Sequence, residues 1–179
     1  MTYYLHTDEC KLPEEFNILS IDPGITSLAI CIEKWKEKKY VSCLYLSIFD
    51  CGPASKDISI ITRDITKKLD EHLDIIKKCS IFIVERQSMG MKMIRVGAHI
   101  LSYLTMLRQG VVIELSPKLR LVGKKRGEKA KPWVIERTLK LLRERNDGTL
   151  EIVTSQKYKQ KEDMCDCIFQ CKRFLEIYM

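Results

Sequence analysis

With 179 residues, 45% of them apolar and 31% charged, the chain has the size and composition of a single globular domain with a real core. No apolar run approaches the roughly 20 residues a membrane helix needs, and the opening Met1-Thr2-Tyr3-Tyr4-Leu5 has neither the basic start nor the apolar stretch of a secretory signal. The net charge of +7 is concentrated, with eleven basic residues against three acidic from Lys118 to Arg145, which suits contact with phosphates, although a solvated helix face would also carry such a run.

Residues 1–15 read as a loose leader to a single domain spanning 1–179. Strands are expected over 17–22, 28–33 and 40–48, joined by short connections as an antiparallel meander. Gly52 and Pro53 mark a loop. Ile58, Ile61, Ile65, Leu69, Leu73 and Ile76 then recur at helical spacing to about Lys78. The apolar run 80–84 predicts a buried central strand, followed by a helix over 93–107 and a second buried strand over 111–115 that Pro117 stops. The basic, glycine-containing stretch 118–131 reads as a loop with some helix. Pro132 suits the first turn of a helix ending near Arg145, and a last helix is expected over 162–177. The order β-β-β-α-β-α-β-α-α gives an α/β domain, a mixed five-stranded sheet flanked by helices.

Eight cysteines are present, but no paired Cys-x-x-Cys, and His6, His72 and His99 are not spaced for zinc. Cys31, Cys43 and Cys79 lie in or beside apolar runs, and Cys165, Cys167 and Cys171 share one predicted helix. They read as packing residues of an intracellular protein in a reducing compartment.

The chemistry-bearing residues are acidic. Asp22 ends the first strand before Pro23-Gly24, and Glu85 ends the fourth. Asp163 and Asp166 are one helical turn apart on a face bordered by apolar residues. Singly, each has an ordinary reading as a turn or surface residue. Together, adjacent parallel strands and one helix would gather four carboxylates, which repel one another unless hard cations such as Mg²⁺ or Mn²⁺ bind. Such a centre hydrolyses phosphodiesters, with a lysine neutralising transition-state charge. Lys131 and Lys118 are the candidates.

These residues resemble the RuvC-like Holliday-junction resolvases of the RNase H-like superfamily. Ile21-Asp22-Pro23-Gly24, Val84-Glu85-Arg86-Gln87 and Lys161-x-Asp163-x-x-Asp166 carry the likeness, with Val96-Gly97 and Ser116-Pro117 between them. The Glu-Arg-Gln triplet is similar to the poxviral and fungal mitochondrial branches, Asp-Pro-Gly to the bacterial one. The resemblance implies an RNase H-like fold and a Mg²⁺-dependent endodeoxyribonuclease with two ions per active site, Mn²⁺ substituting. It implies a homodimer that resolves four-way junction DNA by paired symmetric nicks. Asp22, Glu85, Asp163 and Asp166 would be the metal ligands, and Lys131, or else Lys118 or Lys129, the catalytic lysine. The mixed signature points to a virus or mobile element, acting in host cytoplasm or nucleus.

Lys118, Arg120, Lys124, Lys125, Arg126 and Lys129 are the expected DNA contacts. The helix after Glu85 is apolar on most sides, so it is either buried within the domain or a dimer seam. Gly97 and Ala98 permit close approach and favour the seam, with Ile94, Leu101 and Leu104 beside them. Where bacterial members carry an aromatic residue near the crossover, Ser88 stands, leaving Met89 or Met91 to open the strands. Alternatives are a ribonuclease H or flap-type nuclease, a non-catalytic junction binder, and, from Asp22-Pro23-Gly24-Ile25-Thr26, a phosphate turn of actin-like ATPases. The last needs two such domains and a longer chain.

Overall fold

A five-stranded sheet with the order β3-β2-β1-β4-β5 forms the centre of the computed structural model, which describes residues 13–178. Most of the leader, residues 1–12, lies outside the described residues. The meander consists of β1 (Glu15–Asp22), β2 (Ser27–Lys36) and β3 (Lys39–Asp50), all antiparallel. After α1 (Ile58–Asp70) and α2 (Leu73–Ile76), β4 (Ile81–Glu85) joins β1 in parallel. Then come α3 (Met91–Met106), β5 (Val111–Leu115) parallel to β4, and a 3-10 helix (Pro117–Leu121). α4 (Ala130–Arg145), α5 (Thr149–Thr154) and α6 (Tyr158–Tyr178) complete it.

The sheet is covered on both faces, which is why β1 and β4 are continuous apolar runs. On one face Ile61, Ile65 and Leu69 of α1 and Val96, Ile100 and Leu104 of α3 pack on Leu19, Ile21, Leu28, Phe82 and Val84. On the other, α4, α5 and α6 cover Ala29 and Cys31 of β2. Those two small residues let α6 come close, and the Cys167 thiol donates to the Ala29 carbonyl at 3.2 Å. Farther along α6, Phe174 and Leu175 pack with Ile18, Ile81 and Ile83.

Three local features depart from the expected boundaries. β2 and β3 run on to a two-residue turn at Glu37 and Lys38, both with positive φ (49° and 62°), a hairpin geometry usually signalled by Asn-Gly rather than by charged residues. The helix expected to reach Lys78 breaks after Asp70. The His72 ring bonds Tyr45 Oη of β3 at 2.7 Å and the Lys68 carbonyl at 2.9 Å, and its backbone (φ −118°, ψ 14°) leaves the helix. α5 was not expected; Asp147 Oδ1 accepts from Thr149 N at 3.1 Å to start it.

α3 divides the proposed seam. Gly97 and Leu104 are core residues of this chain, Leu101 is half-buried, and Ile94 and Ala98 are exposed. Met91 and Met106 extend the exposed face, at 72% and 79% accessible. The apolar surplus thus has two causes, core packing on one side and an uncovered stripe on the other.

Candidate active site

β1 and β4 lie side by side with Ile21 opposite Val84, so the last residue of each strand, Asp22 and Glu85, falls at the same edge of the sheet, where the two parallel strands end. The turn after Asp22 is tight, because a Cβ on Gly24 would come within 1.9 Å of the Ser27 carbonyl oxygen. Ser27 in turn donates its Oγ to Asp163 Oδ2 at 3.0 Å, tying the start of β2 to α6. α6 packs across β1 and β2, with Asp163 buried and Asp166 half-buried. Gly24→Ala should therefore displace Ser27 and misplace Asp163. The expected outcome is a lowered melting temperature together with weaker divalent-cation binding, read by thermal unfolding with and without Mn²⁺.

Two cations enter this acidic cluster. Arg120, from the 3-10 helix, sets Nη2 at 2.7 Å from Glu85 Oε2 and Nη1 at 2.7 Å from Asp166 Oδ2. Lys159 Nζ, one turn before Asp163, lies 2.6 Å from its Oδ1. Burial pushes the Asp22 carboxyl well above its ordinary range, and the charges of Glu85 and Asp166 push it further. Burial also lifts Glu85 to about 7; Arg120 opposes the rise, and Asp166 and Asp163 add to it. Asp166 is raised by burial against the pull of Arg120.

An acid whose pKa is raised by folding holds its proton more tightly in the folded state. The cluster's contribution to stability is therefore fully present below the ordinary carboxylate range and is lost as pH rises toward about 7. Melting temperatures in chelator should show this fall. The double variant Asp22→Asn, Glu85→Gln should flatten it; an equally steep profile would locate the titration elsewhere.

No family model and no curated protein matches this sequence. Solved structures do. The fowlpox virus resolvase in complex with substrate Holliday junction DNA superposes with a TM-score of 0.66 at 17% identity, covering 89% of this chain and 97% of that one. The yeast mitochondrial Holliday junction resolvase gives 0.63 at 16% identity over 94% and 82%. Thermus thermophilus RuvC with its junction substrate gives 0.58 at 14% identity over 91% and 96%. The fold is that of the RuvC-like Holliday junction resolvases.

On this resolvase fold the four expected carboxylates come to one edge of the sheet. Among the described residues no three Asp, Glu, His or Cys side chains stand at the spacing of a formed metal site, and Arg120 and Lys159 pair with single oxygens of Glu85, Asp166 and Asp163. The donor set nevertheless fits Mg²⁺ or Mn²⁺. It is all carboxylate oxygen, Asp22, Glu85 and Asp166 are held above their ordinary pKa by burial and by the charges of neighbouring acids, and Glu85 Oε2 is buried without an aligned hydrogen bond.

The basic residues are redistributed. Arg120, expected on the DNA surface, has an 11% exposed side chain turned into the carboxylates. Lys131, the expected catalytic lysine, instead pairs with Glu162 Oε1 at 2.5 Å and is itself 64% exposed. Glu162 is a buried fifth carboxylate that the sequence reading passed over. The lysine on the cluster is Lys159, and its i,i+4 spacing to Asp163 was available, but the helix was expected to begin after it. Lys124 is used within its own loop, donating to the carbonyls of Lys125 (3.1 Å) and Glu128 (2.7 Å). Lys118, Lys125, Arg126 and Lys129 are exposed as expected. A groove of about 340 Å³ between α4 and α6, lined by Trp133, Arg137, Lys140, Phe169, Lys172 and Arg173, contains none of the four carboxylates.

Proposed function

We propose that this chain is a divalent-metal-dependent endodeoxyribonuclease that resolves four-way DNA junctions by paired symmetric nicks as a homodimer. The observation that carries the reading is the meeting of Asp22, Glu85, Asp163 and Asp166 at one sheet edge of a resolvase fold. Bound there, two Mg²⁺ or Mn²⁺ ions would supply an activated water and charge stabilisation for the leaving 3′-oxygen. Asp22, Glu85, Asp163 and Asp166 present the carboxylate donors. Ser27 and Lys159 hold Asp163 from both of its oxygens and so fix its orientation. Met89, 82% exposed beyond the end of β4, and Met91 stand where an apolar wedge could enter a DNA stack.

Four-way junction, flap, duplex and RNA–DNA hybrid offered with Mg²⁺ separate the readings. Ligatable duplexes from paired nicks identify a resolvase, and cutting of the hybrid's RNA strand a ribonuclease H. The exposed Lys118, Lys125, Arg126 and Lys129 are assigned to the DNA backbone. Changing Lys125, Arg126 and Lys129 to alanine should weaken binding across all sequences and flatten its salt dependence by roughly 0.9 unit per lost phosphate contact. An unchanged slope would remove the loop from the interface.

The seam is assigned to the exposed stripe of α3. Ile94→Glu with Ala98→Glu should yield a folded monomer in sedimentation, and a surviving dimer would move the interface elsewhere. Leu104→Glu tests something else, because it buries a charge in the core of one chain. The seven described cysteines are all free, in keeping with action in a reducing compartment such as host cytoplasm or nucleus. No described helix is long and apolar enough to cross a membrane.

A further inference from the structure

Arg120 holds two carboxylates from different elements, Glu85 at the end of β4 and Asp166 on α6, at 2.7 Å each. Its backbone is anchored, since the 3-10 helix follows β5 directly and Leu119 N donates to the Ser116 carbonyl at 3.0 Å. The side chain is only 11% exposed, and neither its Nε nor its Nη1 makes an aligned hydrogen bond. Two ion pairs therefore hold it in place. Resting on the reading of these carboxylates as a cation site, we propose that Arg120 is a built-in counter-ion that occupies that site in the metal-free protein and is expelled from it by the divalent cation.

The physical reason is exclusion. A Mg²⁺ ion takes carboxylate oxygens at about 2.0–2.1 Å in near-octahedral order. An ion drawn to these carboxylates meets guanidinium nitrogens already 2.7 Å from Oε2 and Oδ2, and the two like charges repel across the shared pair of acids. A lysine could yield by losing its proton, but a guanidinium stays charged in proteins, so its relief is to move. Lys159 differs in being 66% exposed, its amine at the solvent margin beside Asp163 rather than buried between two acids. Arg120 thus links two states: carboxylates assembled around an internal cation, or carboxylates loaded with metal and a guanidinium set free. Metal affinity is reduced by whatever Arg120 contributes to the first state.

Mn²⁺ binding by the DNA-free protein tests this, by titration calorimetry and by thermal unfolding in chelator and in saturating Mn²⁺. Arg120→Gln should bind Mn²⁺ about tenfold or more tighter than the natural chain. It should melt lower in chelator and gain more on adding Mn²⁺. If Arg120→Gln does not fold in chelator, Arg120→Lys is read by the same titration and should also bind more tightly, since a point charge holds two carboxylates less well. Unchanged or weaker Mn²⁺ binding in the folded variant, with the natural chain binding normally, would make Arg120 a fixed structural staple and overturn the proposal. Failure of natural chain and variant alike to bind Mn²⁺ would overturn the cation-site reading itself, and this inference with it.

Discussion

Asp22→Asn should abolish strand cleavage, by about a thousandfold or more, while junction binding persists or tightens. The substitution keeps shape and removes one negative oxygen donor. A donor lost from a metal centre weakens charge stabilisation by several kcal/mol, and each 1.4 kcal/mol is a factor of ten in rate. Folding should not suffer. Asp22 is held above its ordinary pKa by burial and by Glu85 and Asp166, so a neutral amide relieves repulsion. A polyanion also meets one fewer like charge, which is why binding should hold or improve. Single-turnover cleavage of a labelled junction, binding in Ca²⁺ or chelator, and the melting temperature together decide it. Cleavage within tenfold of the natural chain would remove Asp22 from the chemistry. Loss of binding and stability together would make it structural.

Arg145→Met should cost about 3–5 kcal/mol of stability, the usual penalty for leaving a buried charge unpaired. At the far end of β2 from Asp22, Glu33 is fully buried and accepts from Arg145 at 2.6 and 3.3 Å and from Trp35 Nε1 at 3.0 Å. The guanidinium sits 3.7 Å over the Tyr40 ring, and Tyr40 in turn donates to Asp147. This network joins the end of α4 to the β2–β3 hairpin. Burial raises the Glu33 pKa even with Arg145 present. Without Arg145 the carboxyl protonates more readily, so the loss should shrink as pH falls. Adding Glu33→Leu should recover most of the stability, since a matched apolar pair is often as good as a buried ion pair. Urea unfolding at two pH values measures both effects. A single variant within 1 kcal/mol of the natural chain would show that water reaches Glu33.

The basic residues show where sequence reading loses its grip. A count along 118–145 identifies a cationic stretch, but side chains there serve four different ends. Lys125 and Arg126 face solvent, Lys124 closes its own loop, Arg120 enters the acidic cluster, and Arg145 is buried against Glu33. Charge is a property of composition, whereas direction depends on which element the backbone belongs to and what it packs against. The same holds for α3, where apolarity alone did not separate Leu104 in the core from Ile94 on the surface.

What the amino-acid order determined by itself was the five strands, the longer helices, the mixed sheet and the four acids that end or line them, because hydrophobic period and strand-ending carboxylates are local patterns. The tertiary structure alone decided which cations meet those acids: Arg120 and Lys159 at the cluster, Lys131 on Glu162. Ion pairs between residues far apart in the chain depend on strand order, helix start and side-chain direction, and none of these is written in the spacing of the charged residues themselves.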